Sequence, residues 1–102
     1  MDSGKLSDTE KAIVKQALRA ATDGPFFPDW EFHTLFGLER SKFRAIAEAW
    51  PELAAPANEV AQAVNDSLNN LLGYPHDKEA LWSRWISVNR PQLENLFLRF
   101  RD

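Results

Sequence analysis

The chain has 102 residues, of which 44% are hydrophobic and 12% aromatic, and its formal net charge at pH 7 is -3. This length predicts one domain with a hydrophobic core of its own, since two domains would each be too small to bury one. The absence of cysteine excludes a disulfide framework and a cysteine-ligated zinc, and the acidic balance argues against a protein that coats a nucleic-acid backbone.

The first helix is predicted from Ser7 to about Thr22. Ser7 and Glu10 have the spacing of a capping box, in which each side chain bonds the backbone amide of the other residue. Apolar residues then recur every three or four positions and form one stripe: Ile13, Val14, Ala17, Leu18 and Ala21. We expect Gly24 to end this helix in the left-handed conformation that glycine favours.

Two shorter helices are predicted after an aromatic loop. Asp29 is expected to cap a helix over residues 30–36, and Gly37 to end it. The apolar residues of this helix are Trp30, Phe32, Leu35 and Phe36. A third helix is expected from residue 39 or 41 to residue 50, where Pro51 stops it.

Three more helices are predicted in the second half of the chain. Asn58 is expected to cap a fourth helix that runs to Gly73, and Asp77 a fifth. Asn89 is expected to cap the sixth, with Gln92 three residues later completing a second capping box.

These elements predict an all-α fold, because no alternating strand pattern and no internal repeat is evident. We expect a compact single-domain bundle of about five to six short helices over residues 1–102, with residues 1–6 flexible. No apolar segment reaches the length of a membrane span or resembles a signal peptide, so a cytoplasmic protein without membrane attachment is expected.

No catalytic, cofactor or metal site is predicted. His33 and His76 are the only histidines, and neither has the spacing to other ligands that a zinc site needs. The four glycines are isolated rather than clustered into a phosphate-binding loop. We therefore expect a protein that is not an enzyme and has no cofactor.

A helix-turn-helix DNA-binding regulator is the alternative interpretation. Gly37 lies between two predicted helices, and Arg40, Lys42 and Arg44 are on the second of them. These three cations are two residues apart, so they spread around the helix instead of forming one basic face. Nucleic acid is accordingly not the expected partner.

The polar face of the fourth helix is the first candidate for a partner-binding surface. It has no lysine, although exposed helix positions usually favour lysine and glutamate. The candidate residues on this helix are Glu59, Gln62, Asp66, Asn69 and Asn70. Tyr74 and His76 follow the helix and extend the candidate surface. A face that is merely solvated is one alternative interpretation. In another, the side chains of Asn69, Asn70, Tyr74 and His76 fix the turn that follows the helix.

The aromatic loop is the second candidate. Phe26 and Phe27 lie between prolines, where two large rings must be covered either by the core or by a partner. Core packing is the favoured interpretation, and exposed interface anchors are the alternative.

Two blocks of the sequence, FFPDWEFHTLFG at 26–37 and LNNLLGYPH at 68–76, resemble blocks of a family of small all-helical bacterial proteins. In size, acidity and helical make-up the chain is also similar to immunity proteins that neutralise toxins, including those of contact-dependent growth inhibition systems. That resemblance implies a non-enzymatic module that binds a toxin with a basic surface, such as a nuclease.

Overall fold

The computed structural model describes residues 6–74 and 76–101, and these residues form six α-helices and no strand. The helices are α1 (Asp8–Asp23), α2 (Asp29–Phe36), α3 (Arg40–Ala49), α4 (Ala57–Gly73), α5 (Trp82–Trp85) and α6 (Arg90–Arg101). A 3-10 turn, Glu79–Leu81, leads directly into α5. The prediction of an all-α single-domain bundle is confirmed.

Both predicted capping boxes are confirmed. The Ser7 hydroxyl accepts a hydrogen bond from the amide of Glu10, whose carboxylate accepts one from the Ser7 amide. Asn89 and Gln92 exchange the equivalent pair of bonds at the start of α6. These bonds satisfy amides that a helix start leaves without partners.

Three other residues predicted as helix caps do not occupy the cap position. Asp29 lies in the first turn of α2, and Asn58 in the first turn of α4, because prolines occupy the preceding cap positions. Asp77 has a positive φ of 57° and precedes Lys78, which holds the cap position of the 3-10 turn. Aspartate still suits a first turn, where the helix dipole favours its negative charge.

Gly24 ends α1 in extended backbone with φ -80°, so the prediction of a left-handed glycine is wrong there. A Cβ at this position would lie 2.5 Å from the carbonyl oxygen of Ala20, which explains the glycine as a close approach. Gly37 has the left-handed φ of 69° and ends α2 as predicted.

The expected flexible N-terminus largely lies outside the described residues. Leu6, its last residue, is buried in the core. Leu6 thereby places the start of α1 against the rest of the molecule.

The second half of the chain repeats the order of elements of the first half at a distance of fifty residues. In both halves a long helix is followed by a short one and then by a third of intermediate length. Positions 31–50 and 81–100 alternate between buried and exposed in nearly the same order. The expectation of no internal repeat is wrong, because the burial pattern is kept while most side chains differ.

Two arginines show this repeat in atomic detail. Arg40 donates to the carbonyl oxygen of Thr22, forms an ion pair with Asp29 at 2.8 Å and lies over the Phe32 ring at 4.2 Å. Arg90 has the three equivalent partners, which are the Leu72 carbonyl, the Glu79 carboxylate and the Trp82 ring. Each arginine therefore joins the end of a long helix to the start of the third helix of its half.

The two halves exchange contacts reciprocally. Helix α1 packs against α3 as α4 packs against α6, while α2 contacts α4 of the other half and α5 contacts α1. Phe26 and its equivalent His76 face each other with ring centroids 4.8 Å apart. This is the contact pattern of two units related by a two-fold rotation, and it gives them one shared core.

Candidate functional site

The two acidic residues expected to face a partner from α4 are engaged within the fold. Lys42 Nζ lies 2.8 Å from the carboxylate of Glu59. Asp66 is half-buried and accepts a hydrogen bond from Asn65 Nδ2 at 3.3 Å. Burial raises the pKa of Asp66, only partly offset by its side-chain hydrogen bonds. The expected negative surface is therefore weaker than the sequence suggests.

One candidate amide of the same helix joins two helices, and two others are exposed. Asn70 Nδ2 donates to the carbonyl oxygens of Asp66, at 2.9 Å, and Leu35, at 3.4 Å, so it fixes α2 against α4. Gln62 and Asn69 are exposed. Among the five candidate residues of α4, these two amides are the ones fully on the surface.

The aromatic loop belongs to the core. Phe26 and Phe27 are both buried, and the Phe27 ring packs edge-on against Phe36 with centroids 5.1 Å apart. His76 is buried as well, and its Nδ1 accepts a hydrogen bond from the Lys78 amide at 3.0 Å. The favoured core interpretation of Phe26 and Phe27 is confirmed, and their alternative use as exposed anchors is wrong because both rings are buried in the core. His76, predicted as part of the candidate surface, is wrong as a surface residue because it is buried as well.

Tyr74 connects the end of α4 to α2. Its side chain is half-buried, and its hydroxyl donates to the carboxylate of Glu31. That hydrogen bond, with smaller contributions from burial and the Glu31 charge, raises the pKa of Tyr74. Tyr74 thus fixes the turn after α4, as the alternative interpretation predicted.

The cations of the helix-turn-helix interpretation also have partners within the fold. Arg40 pairs with Asp29, Lys42 with Glu59, and Arg44 with Asp23 at 3.2 Å. A DNA phosphate would have to compete with these carboxylates. This geometry gives the regulator interpretation no support.

No three residues among the described His, Asp and Glu side chains converge as metal ligands would. His33 is exposed on α2, and His76 lies among aromatic rings in the core. Within the same described residues, no helix has the length and apolar character of a bilayer span.

Trp30 is the exposed feature that the sequence analysis missed. It was counted among the apolar residues of α2, but it is 79% exposed. Phe32 and Phe36 form the buried face of this helix, and a residue two positions before Phe32 points about 200° away from it. That angular difference is the signal in the sequence that would have identified Trp30.

Carboxylates flank this indole on both sides along the helix. Asp29 precedes it with a side chain that is 92% exposed, and the half-buried Glu31 follows it. We call these three residues the Trp30 surface. The position equivalent to Trp30 in the second half is Ala80, which is also exposed, so the fold itself does not need a large side chain there.

Two equivalent clefts differ between the halves. The cleft between α1 and α3, about 250 Å³, is lined mostly by charged residues, and Lys15 Nζ crosses it to bond the carbonyl of Glu48 at 2.9 Å. The cleft between α4 and α6, about 340 Å³, has the apolar residues Leu72, Phe97 and Leu98 in its lining.

Compared with protein-family models, with curated proteins and with solved structures, the chain matches none of them. The family resemblance of the two sequence blocks therefore stays a prediction, and the candidate site depends on the geometry of the Trp30 surface.

Proposed function

We propose that this chain is a protein-binding module that recognises a basic protein through the Trp30 surface. The observation that carries the proposal is an indole that is 79% exposed between two carboxylates on a helix whose other aromatic rings are buried. Tryptophan is enriched among the residues that dominate binding energy at protein interfaces.

The chemistry of this surface suits a lysine or arginine of the partner. The face of an indole attracts a cation more strongly than other aromatic rings do, and a neighbouring carboxylate adds an ion pair. Asp29 and Glu31 lie next to Trp30 in sequence, and within the fold they pair with Arg40 and Tyr74. Asp29 keeps a side chain that is 92% exposed, so it adds negative charge near the ring that a partner's cation can reach. The net charge of -3 further favours the approach of a basic partner.

The resemblance to immunity proteins makes the proposal more concrete. We propose that the partner is a cationic toxin, such as a nuclease, and that binding of this chain covers the toxin's active site.

The product of the adjacent gene is the first toxin to test. Co-expression should restore growth of cells that make the toxin, and the two proteins should co-purify. Failure of both would refute the immunity function.

The Trp30→Ala variant tests the surface itself. We expect its dissociation constant for the toxin to rise about 30-fold, equivalent to about 2 kcal/mol, because the variant removes the central aromatic contact. Its stability should stay unchanged, since Ala80 occupies the equivalent position in the second half. Isothermal titration calorimetry measures the affinity, and thermal unfolding checks the fold.

Leu53→Ala is the matched control, because Leu53 is 58% exposed in the linker between α3 and α4 and lies outside the Trp30 surface. It should bind like the unaltered chain. Equal affinities of the Trp30→Ala and Leu53→Ala variants would place the contact surface elsewhere, even if immunity itself is observed.

A further inference from the structure

We propose that the exposed face of α6, with the cleft between α4 and α6, is the contact surface of a symmetric dimer of this chain. The proposal concerns other elements than the Trp30 surface and does not depend on the function assigned to it. It uses three observations: an exposed leucine beside an open cleft, complementary charges around that leucine, and the contrast with the first half.

Leu98 and the cleft form a projection and a recess on one face. Leu98 is 52% exposed, and the neighbouring recess is lined in part by Leu72, Phe97 and Gly73. A Cβ added to Gly73 would meet no heavy atom within 4 Å, so the space above this glycine is open. In a two-fold contact, Leu98 of each copy enters the recess of the other.

The charges around Leu98 are complementary to those of a second copy. Glu94 and Arg101 lie four residues before and three residues after Leu98, so all three are neighbours on the surface of α6. When two α6 helices meet antiparallel at Leu98, Glu94 of each copy faces Arg101 of the other. The contact therefore contains two such ion pairs. Uncharged amides flank this face, among them Asn69 and Asn95, which limits repulsion between two acidic chains.

The equivalent surface in the first half lacks the exposed leucine, and its smaller cleft is lined mostly by charged residues. Glu48 occupies the position of Leu98, and Lys15 reaches across the cleft to bond the carbonyls of Glu48 and Trp50 at 2.9 and 3.0 Å. The residue equivalent to Lys15 is Asn65, whose amide is bonded to Asp66 instead. The fold therefore does not require an exposed leucine or an apolar cleft lining at this position.

The first test is the mass of the full chain in solution, measured by sedimentation equilibrium from micromolar to millimolar concentration. We expect a reversible approach to twice the 11.7 kDa of the monomer. Leu98→Glu should raise the dissociation constant at least about tenfold, because it buries a charge at the centre of the contact. Leu53→Glu, at an equally exposed leucine, should not change it.

The second test determines the register of the two copies. Glu94→Arg and Arg101→Glu should each weaken the dimer, because each places like charges opposite one another. The double variant should restore it, because the two charges exchange places. Gly73→Phe should also dissociate the dimer by filling the recess, and thermal unfolding should show that it remains folded, since the space it fills is open.

A chain that stays monomeric at millimolar concentration would overturn the proposal and leave this face to a different protein. A dimer that is unaffected by Leu98→Glu and by Gly73→Phe would overturn it as well. Weakening by both single charge reversals without rescue in the double variant would refute the antiparallel contact at Leu98.

Discussion

Asp66 carries its carboxylate half-buried on α4, where burial raises its pKa above the ordinary value of 3.8. The folded state then binds the proton more tightly than the unfolded state does, so the charged form lowers stability at neutral pH. This cost disappears as the pH falls below 3.8, where both states are protonated.

We therefore expect Asp66→Asn to raise the free energy of unfolding at neutral pH, because the amide is not charged. The gain should vanish below the ordinary pKa of aspartate. Urea unfolding across this pH range measures it. Glu52→Gln, at an exposed acid in the linker, is the control without a pH-dependent difference. A variant that is less stable than the unaltered chain at neutral pH would contradict this account.

At the scale of single residues, the sequence predicts burial better than it predicts exposure. The choice of core packing for Phe26 and Phe27 was correct, because two adjacent rings are hard to leave in water. Trp30 was misjudged because its apolar character was weighed and its angle around α2 was not. The Lys42 partner of Glu59 could not be foreseen, since it depends on how α3 and α4 pack, and the partial burial that raises the pKa of Asp66 depends on packing as well.

Arg40 and Arg90 determine how the helices of each half are joined. Arg40 combines a bond to the last turn of α1, an ion pair at the start of α2 and a contact with the Phe32 ring. Lysine has one compact ammonium group, so it cannot maintain this planar set of contacts.

We expect Arg40→Lys and Arg90→Lys each to lower the free energy of unfolding by about 1 to 3 kcal/mol, the range for hydrogen bonds to charged groups in partly buried sites. Arg84→Lys, at an exposed position, should have little effect. Chemical denaturation of the three variants provides the measurement. If all three variants had the same stability, the contacts of Arg40 and Arg90 would contribute no more to stability than the contacts of the exposed Arg84 do.

At the scale of elements, prediction succeeded where a local signal exists. The capping boxes of Ser7 and Asn89 are contained within four residues, and both were identified. The fifth helix was predicted in one piece, but it is a 3-10 turn followed by four residues of α-helix. The Trp82 indole donates to the Val88 carbonyl at 2.8 Å beyond the end of this helix, a contact that apolar periodicity does not reveal.

The whole molecule is built from two halves that each lack part of a core. Helix α2 packs on α4, α5 packs on α1, and the two long helices pack on each other. The sequence hides this arrangement, because a two-fold relation needs equivalent burial and not identical residues. Val14 and Val64, like Leu18 and Leu68, are equivalent positions that did keep the same residue.

Cutting the chain in the linker at residues 51–56 tests this shared core. Each fragment alone should remain largely unfolded, because its short helix has lost the long helix against which it packs. Mixed in equal amounts, the fragments should recover the helical circular dichroism and near-ultraviolet signal of the intact chain. Cooperative thermal unfolding of either fragment alone would contradict the assignment of a single shared core.

The ion pair between Glu10 and Arg99, at 2.6 Å, has a consequence for the order of the chain. It brings the start of α1 beside the end of α6, and the two-fold relation makes this junction equivalent to the one between α3 and α4. A copy of the 51–56 linker would therefore bridge the first junction as the original bridges the second. We therefore expect a circularly permuted chain that begins with α4 and ends with α3 to fold into the same bundle. The fold then does not depend on which half comes first along the chain.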